Sequence, residues 1–493
     1  MLTDSFFVAR RTAEIFAGRA ALPAIAAMAL LAGCASDRAI GPHETMPSAQ
    51  ALAGRLDLTA PPSPASEPSP DWWVAYGDPE LSRWVERALA DSPSLGEAGT
   101  RVAQAQALYE TAGSATAPNV AFGADSTAQR FSETGIFPPP LGGMVHTIND
   151  VDVTATLHLD FFGRLKSRTE AARLSARAAA ADRDGARAEL AATVAQAYFR
   201  LARAQRSREI ALATEKQRAD ILDLVQQRVG AGLDTLVEQR QAEGAIPQIR
   251  VDLEQADEQV ALARHALAVL AGQPPQAADG LDAALPSAPS LAPPASLPID
   301  LLARRADVEA AQLRVLASLR EVDAARADFY PNVDLTALIG LNSLSVQHLF
   351  ERASRTWQVG PAVHLPLFDG GRLRAELKSR SAETDAAVDA YDSAVLTAAR
   401  EVSDTLVSIA STARQRQQQR LATEAAASAY DLALIRYKAG LGAYLTVLTA
   451  ESNVLVQRRA QLELDARAAE LDATLARALG GGFRAASEPL AAR

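Results

Sequence analysis

The feature that most constrains this sequence is an internal repeat. Three short motifs occur twice in the same order along the chain. Phe-Gly-Arg-Leu at 162–165 is matched by Gly-Gly-Arg-Leu at 370–373, and Arg-Val-Gly-Ala-Gly-Leu at 228–233 is matched by Arg-Tyr-Lys-Ala-Gly-Leu at 436–441. The third pair is Ala-Pro-Asn-Val at 117–120 and Tyr-Pro-Asn-Val at 330–333. The first two pairs are about 208 residues apart and the third about 213. This repetition predicts two copies of one structural unit, with the difference in spacing absorbed by a loop.

Each repeat is predicted to contain a helix, two strands and two long helices joined by a tight turn. For the first repeat (71–272) these are a helix at about 82–116, strands at about 119–130 and 150–161, and helices at about 164–229 and 234–271. For the second repeat (298–483) they are a helix at about 301–328, strands at about 332–342 and 356–367, and helices at about 372–438 and 444–479. A Pro- and Ala-rich linker, 273–297, joins the repeats, and 484–493 is a C-terminal tail.

The strand segments have the pattern of a membrane-facing sheet. From 151 to 161 the odd positions are apolar and the even ones mostly polar, and 332–341 nearly repeats this alternation. Period-two alternation over about 9 to 11 residues suits a tilted transmembrane strand, and aromatic residues cluster at the strand ends. Four strands cannot close a barrel around a channel, and an open sheet edge cannot face lipid. The chain is therefore expected to oligomerise.

The long helices are expected to form coiled coils. A helix of about 65 residues spans on the order of 100 Å, which is longer than one globular domain. In the segment 234–271 the apolar residues recur every seven positions, at Ile246, Leu253, Val260 and Leu267. This heptad spacing predicts helix pairs packed along apolar seams.

The N-terminal segment has the features of a lipoprotein signal peptide, 1–33. Arginines precede an apolar run at 20–31, which is too short to span a bilayer as a helix and ends in Leu-Ala-Gly-Cys at 31–34. This ending is similar to the bacterial lipobox, so Cys34, the only cysteine, is expected to be acylated; an ordinary signal peptide with an accidental cysteine is the alternative. No Asp follows Cys34 directly, which by analogy favours the outer membrane. Residues 34–70 are a Pro- and Ser-rich tether.

Composition and motifs exclude several function classes. The net charge of −10 argues against nucleic acid as a partner, because phosphate contacts need clustered Lys and Arg. None of the six histidines has a metal-ligand spacing, and the sequence contains neither a phosphate-binding glycine loop nor a nucleophile elbow. No catalytic, cofactor or metal site is predicted, and the chain is not expected to be an enzyme.

Several stretches carry a family resemblance that extends from Trp72 to Phe483. The most specific are Leu-Asp-Phe-Phe-Gly-Arg at 159–164, Leu-Pro-Ile-Asp-Leu-Leu-Ala-Arg-Arg-Ala-Asp-Val at 297–308, Ala-Ala-Arg-Ala-Asp-Phe-Tyr-Pro at 324–331 and Leu-Pro-Leu-Phe-Asp-Gly-Gly at 365–371. The chain resembles the outer-membrane factor (TolC-like) family, and more closely its lipoprotein branch that includes OprM and NodT, which serves RND-type tripartite efflux systems.

The resemblance implies a mainly α fold with a transmembrane β part. Three copies would form a homotrimer with a twelve-strand β-barrel in the outer membrane and a twelve-helix α-barrel of coiled-coil helices in the periplasm. A periplasmic adaptor (membrane fusion) protein and an inner-membrane transporter of the RND type would be the partners, with outer-membrane lipid around the strands. The chain would be a passive duct for small molecules such as drugs. Two alternatives stay open: the outer-membrane duct of a type I protein secretion system, and a periplasmic coiled-coil structural lipoprotein without a channel.

The turns between the long helices are the candidate functional positions. We name them the first tip (228–236) and the second tip (436–445). The resemblance implies that the adaptor docks at Val229, Gly230, Gly232, Leu233, Gly440 and Leu441. Relatives close the channel with acidic residues near the second tip, where this chain has Thr446 and Thr449. The remaining gate candidates are Asp234 and Glu238 with Arg228 and Arg436, and their ordinary alternative is a role as helix caps or solvated charges.

Overall fold

The computed structural model describes residues 40–48, 51–52, 54, 68–137, 140–294 and 304–484. The predicted signal peptide, Cys34, most of the tether and nearly all of the C-terminal tail lie outside the described residues. None of the helices among the described residues combines the length and apolar character needed to cross a bilayer.

The described chain is mainly helical with four strands, as predicted. The helices are α1 (Pro79–Asp91), α2 (Pro93–Ser114), α3 (Arg164–Gly230), α4 (Leu236–Leu270), α5 (Ala306–Ala327), α6 (Arg372–Lys438) and α7 (Tyr444–Ala478). The strands are β1 (Asn119–Arg130), β2 (Val145–Leu159), β3 (Asn332–Ser343) and β4 (Arg355–His364). The helices α3 and α6 have 67 residues each, and α4 and α7 have 35 each, so the long helix pairs of the two repeats match in length.

The helix predicted at 82–116 is two helices. The first begins at Pro79, because the side chain of Asp78 accepts hydrogen bonds from the N–H groups of Glu80 and Leu81. Its end is set by Pro93, since a residue that precedes proline is pushed out of the helical conformation. Ser92 is accordingly extended, with φ −67° and ψ 125°, and α2 starts immediately after it.

The four strands form one antiparallel sheet in the order β1-β2-β3-β4. One cross-strand row on its apolar face joins Phe122, Val153, Ile339 and Trp357, all of them exposed. The opposite face is polar, with Asp150 paired to Asp125 on one side and to Asn342 on the other. Among the described strands, β1 and β4 each have one neighbour, so each leaves one edge unpaired.

The second strand begins earlier than the sequence indicates. It starts at Val145 rather than near 150, because it pairs with β1 along that strand's whole length, up to the pair Arg130 and Val145. The alternation of apolar and polar residues weakens over these first positions, which include His146, Thr147 and Asn149. Backbone pairing therefore continues where the pattern of side chains no longer reports it.

The chain forms two compact units, and each takes segments from both repeats. The first unit contains the described residues up to Met46, together with Ala103–Arg177 and Gln312–Ala390, and it holds the sheet. The second contains the described residues of Pro47–Val102, Ala178–Ala311 and Tyr391–Arg493, and it holds both tips.

The second unit has a large aromatic core. Trp72 and Trp73 are almost fully buried, and their rings meet edge to face at 5.8 Å. The hydroxyl group of Tyr76 donates to Oδ2 of Asp472 at 2.7 Å, and the hydroxyl group of Tyr198 donates to Oδ2 of Asp78 at 2.7 Å. These hydrogen bonds tie the start of the folded chain to the long helices.

In the first unit an N-terminal strap, residues 40–44, packs on two helices. Ile40 contacts a small apolar cluster that includes Val322 of α5 and Leu377 of α6. The backbone N–H groups of His43 and Glu44 donate to Oδ1 of Asp385, at 2.8 and 2.9 Å. The strap is thus held by apolar contact at one end and by a carboxylate at the other.

Candidate functional site

Both tips end their long helix in the same backbone motif. At the first tip the N–H of Leu233 donates to the carbonyl of Arg228 at 2.9 Å, and the N–H of Gly232 to that of Val229 at 2.9 Å. At the second tip the N–H of residue 441 donates to the carbonyl of residue 436 at 2.8 Å, and the N–H of residue 440 donates to the carbonyl of residue 437 at 3.0 Å. This is the Schellman arrangement, which needs a left-handed residue just past the helix. Gly232 supplies it with φ +75°, and the second-tip glycine supplies it with φ +72°.

The tips expose apolar side chains. In a Schellman motif the residue after the glycine commonly packs back on its own helix. Here that residue is Leu233 in one tip and Leu441 in the other, and they are 65% and 70% exposed. Leu236, Val237 and Leu445 beside them are also exposed. Adjacent exposed apolar groups of this kind are typical of a protein-binding surface.

The charged groups of the first tip form a compact cluster with a tyrosine of the second. Nε of Arg228 lies 2.8 Å from Oδ2 of Asp234, and Nη2 lies 3.3 Å from Oδ1, so the pair is bidentate. The hydroxyl group of Tyr437 donates to the same carboxylate. The guanidinium also lies over the tyrosine ring, 4.6 Å from its centroid. We call these three residues the tip latch.

The tip latch is shielded from water. The side chains of Arg228 and Asp234 are 12% and 11% exposed, and Tyr437 is fully buried. The hydrogen bond from Arg228 lowers the pKa of Asp234 below its ordinary value. Burial, together with the neighbouring carboxylate, raises the pKa of Tyr437. The latch therefore holds an ionised carboxylate and a neutral phenol around neutral pH.

The remaining gate candidates make local contacts. Glu238 belongs to a capping box at the start of α4: its carboxylate accepts from the N–H of Thr235 at 3.0 Å, and the threonine hydroxyl accepts from Val237 at 3.1 Å. The pKa of Glu238 is lowered by the hydrogen bond from the threonine side chain. Arg436 donates to the carbonyl of Leu441 at 3.3 Å.

Thr446 and Thr449 are both exposed, and the hydroxyl of Thr449 donates to a carbonyl of its own helix at 2.8 Å. Of the six predicted gate residues, the structure thus brings only Arg228 and Asp234 into contact with each other.

A buried ion pair near the tips is a further feature that the sequence analysis missed. Arg218 of α3 and Glu451 of α7 approach to 3.3 Å with side chains 10% and 4% exposed. Arg218 also donates to the carbonyl of Ala245 in α4 at 2.7 Å. Burial raises the pKa of Glu451. The available signal was the position of this glutamate, which lies in the apolar seam of α7 between Leu448 and Leu455.

Within the described ranges there is no cluster of three or more His, Cys, Asp or Glu side chains that could hold a metal ion.

Comparison with known families gives one match over most of the chain. The sequence model described as "Outer membrane efflux protein" matches residues 84–273 and 297–481. The two matched segments correspond to the two repeats, and the break between them falls in the predicted linker.

Individual relatives agree with this match. The chain is 36% identical to the fusaric acid resistance protein FusA of Burkholderia cepacia over 369 residues, which is 74% of this chain and 70% of that protein. It is 31% identical to the toluene efflux pump outer membrane protein TtgF of Pseudomonas putida over 453 residues, covering 91% and 93%. The crystal structure of the outer membrane protein VceC from Vibrio cholerae superposes with a TM-score of 0.76 at 33% identity, covering 85% of this chain and all of that one.

Proposed function

The chain belongs to the outer membrane efflux protein family, and we propose that three copies of it assemble into the exit channel of an RND-type tripartite efflux pump. It is an outer-membrane channel component of such a pump and works with a periplasmic adaptor and an inner-membrane transporter. The family consists of efflux channels and not of enzymes. The cargo is small toxic molecules, the class to which the toluene and fusaric acid of the relatives' names belong.

The observation that carries this function is the sheet. Its apolar face is exposed along the row from Phe122 to Trp357, while its other face is polar. Its two outer strands have unpaired edges, and backbone groups cannot stay unpaired in lipid. Further copies of the chain satisfy both edges, with the apolar face toward lipid and the polar face toward water. The family relationship supports three copies, which give twelve strands.

The tips are the proposed docking surface for the adaptor. The predicted docking residues include Leu233 and Leu441, whose exposed side chains supply apolar contact area. Val229, Gly230, Gly232 and Gly440 belong to the same turns and define their backbone shape. Because both tips use one motif, an adaptor can recognise them in the same way.

The proposed gate is the tip latch. Arg228 and Asp234 belong to the first tip and Tyr437 belongs to the second, so the latch holds the two tips together. Separation of the tips requires that these contacts break. Glu238, Arg436, Thr446 and Thr449 contribute to the local shape of the tips. This chain has threonines at 446 and 449, where relatives have acidic residues that close the channel. Its closed state therefore depends on the latch.

Acylation of Cys34 is the proposed anchor. The lipobox-like ending at 31–34 supports it, as does the absence of any other cysteine in the sequence. The anchor would add membrane attachment to that provided by the strands.

The function is tested by purifying the protein from outer membranes, measuring its oligomeric mass and recording its conductance in a planar bilayer. A trimer with a small, cation-favouring conductance supports a channel that is nearly closed at rest. A monomer that becomes water-soluble once its lipid is removed, and that shows no conductance, would instead support a structural coiled-coil lipoprotein.

A further inference from the structure

The junction between strands and long helices in the first unit carries exposed aromatic side chains. Phe161, Phe162, Tyr330 and Phe368 are each about half exposed or more. The ring of Phe162 stacks on that of Tyr330, with centroids 4.9 Å apart and planes at 17°. These residues lie just past the ends of the strands whose apolar face is exposed. Aromatic side chains suit such a position because they are apolar in body and polar at the edge.

Cations follow the aromatic residues along the chain. Lys166, Arg372, Arg374 and Lys378 are exposed in the first two turns of α3 and α6. In the described part of the chain none of the four charged side-chain groups has a carboxylate oxygen within 4 Å, although the backbone N–H of Lys166 donates to Oδ2 of Asp160 at 2.8 Å. Neither helix has an acidic residue in its first turn. Cations near the start of a helix oppose the helix dipole, so their presence does not stabilise these helices. The N–H groups at the start of each helix are instead met by a carboxylate, that of Asp160 for α3 and that of Asp369 for α6. The exposed cations are therefore not needed by the helices and remain available to a negatively charged partner.

An open cavity of about 360 Å³ joins these two features. Its wall includes the aromatic residues Phe161, Phe162 and Tyr330, the cations Arg164, Arg168 and Arg372, and the carboxylates of Asp160 and Asp328. Arg164 and Arg168 share one counter-ion, the carboxylate of Asp328, at 3.5 and 3.1 Å. The guanidinium of Arg372 has no carboxylate within 4 Å, and its electrostatic interaction with Asp369 acts over a longer distance.

The internal repeat explains this difference. Arg164 and Arg372 occupy equivalent positions, but the residue equivalent to Asp328 is Ala115. A second copy that paired its β1 with the free edge of β4 would bring Ala115 to the neighbourhood of Arg372. The carboxylate that neutralises Arg164 therefore has no counterpart at Arg372, even in the proposed assembly.

We propose that this junction binds the headgroup of an anionic phospholipid, with Arg372 in contact with the lipid phosphate. The proposal rests on the outer-membrane placement described above. A guanidinium binds phosphate oxygens through two parallel hydrogen bonds. The acyl chains lie along the exposed apolar face of the sheet, and the glycerol backbone lies at the aromatic residues. Lys166, Arg374 and Lys378 each raise the affinity for the anionic headgroup by about fivefold.

The test compares two variants of the full-length protein with equal charge change. The junction variant is K166Q/R372Q/R374Q/K378Q, and the matched control is K216Q/R414Q/R458Q/R467Q, which neutralises four exposed cations outside the first unit. Each protein is reconstituted with phosphatidylethanolamine and phosphatidylglycerol, and the phosphatidylglycerol retained is counted by native mass spectrometry. Wild type and control are expected to retain it, and the junction variant to bind it at least about tenfold more weakly.

Equal retention by the junction variant and wild type would overturn the proposal. Release of the lipid from wild type by excess inorganic phosphate would also overturn it, because the acyl chains are expected to hold the lipid in place. The single variant R372Q is expected to account for the largest part of the loss. Oligomeric mass and conductance are recorded on the same samples. Failure of the channel function would remove conductance from wild type, whereas failure of the lipid site alone would leave conductance in every protein.

Discussion

At the scale of single residues, Asp234 makes the contacts that join the two tips. It pairs with Arg228 six residues earlier and accepts a hydrogen bond from Tyr437, 203 residues later. It therefore connects the two repeats directly. Because the side chains are shielded from water, these charge-assisted bonds are expected to contribute more than a surface ion pair would.

Replacement of Asp234 by Asn is expected to open the channel more often. The loss of hydrogen bonds to a charged group costs about 1.5 to 3 kcal/mol, which predicts a rise in open probability of roughly tenfold or more. Single-channel recording of the reconstituted protein measures it. The control is D431N, which removes one negative charge from an exposed position near the second tip. A D234N channel that behaves like D431N would contradict a gating role.

The same variant allows a check by pH. The pKa of Asp234 is lowered in the folded protein, so its stabilisation is complete above the ordinary aspartate pKa of about 4 and is lost as pH falls through the lowered value. The pKa values of Arg228 and Tyr437 are raised, and neither group titrates in that range. Wild-type conductance is thus expected to increase below about pH 4, with no such increase in D234N.

Part of this site could be predicted from the sequence. Arg228 and Asp234 are close in the chain, so their pairing was a reasonable expectation. The spacing Thr-x-x-Glu at 235–238 is itself a capping-box signal, which already favours a local role for Glu238. The contact with Tyr437 could not be predicted, because it depends on how helices from the two repeats pack, and no local pattern reports that.

At the scale of secondary structure, each tip is one reversal of the chain that depends on one glycine. No atom lies within 4 Å of the position that a Cβ would take at Gly232, Gly440 or Gly244. Gly244 lies inside α4, whereas the other two have positive φ. Substitutions at these positions therefore measure the cost of backbone conformation without a contribution from steric crowding.

Replacement of Gly440 by Ala is expected to destabilise the second tip by about 1 to 2 kcal/mol, because an L-residue is strained in the left-handed conformation. G244A is the control and is expected to be neutral or stabilising by about 0.5 to 1 kcal/mol, since alanine favours helix interiors. Amide hydrogen exchange at 436–445 measures the local effect, and exchange should be roughly tenfold faster in G440A. Equal exchange in G440A and wild type would show that the turn tolerates a side chain.

The order of the strands and long helices could be predicted, because long periodic segments carry a clear signal. The four strands and both long helix pairs are of this kind. The break between α1 and α2 was missed although Pro93 marks it, since the apolar pattern continues across the proline. The early start of β2 was missed because its first pairs with β1 are backbone contacts without alternation.

At the scale of the whole molecule, the polar face of the sheet would determine the charge of the channel interior. Asp125 and Asp150 are directly opposite each other on neighbouring strands. Asp152 lies two residues further along β2 on the same face, between Gly123 and Gly340. If three sheets close with this face inward, each carboxylate becomes one of three around the axis. The division into two compact units could not be predicted, because each unit combines distant segments of both repeats.

The variant D150N/D152N is expected to reduce the preference of the channel for cations. Removal of six carboxylates from the proposed trimer would lower the local cation concentration severalfold, since charges lining a narrow aqueous path act at short range. Reversal potentials in a salt gradient measure the change. D71N/D279N, which removes the same charge outside the first unit, should leave selectivity unaltered. Unchanged selectivity in D150N/D152N would indicate that this face does not line the ion path.

The N-terminal strap also affects the order of events during biogenesis. His43 and Glu44 bind a carboxylate that is synthesised more than 300 residues later. Contacts of such large sequence separation form late, because the intervening chain must first be ordered. The N-terminal segment is therefore expected to stay accessible until α6 has folded. If Cys34 is acylated as proposed, this interval would give the processing enzymes time to reach the start of the chain before the strap closes.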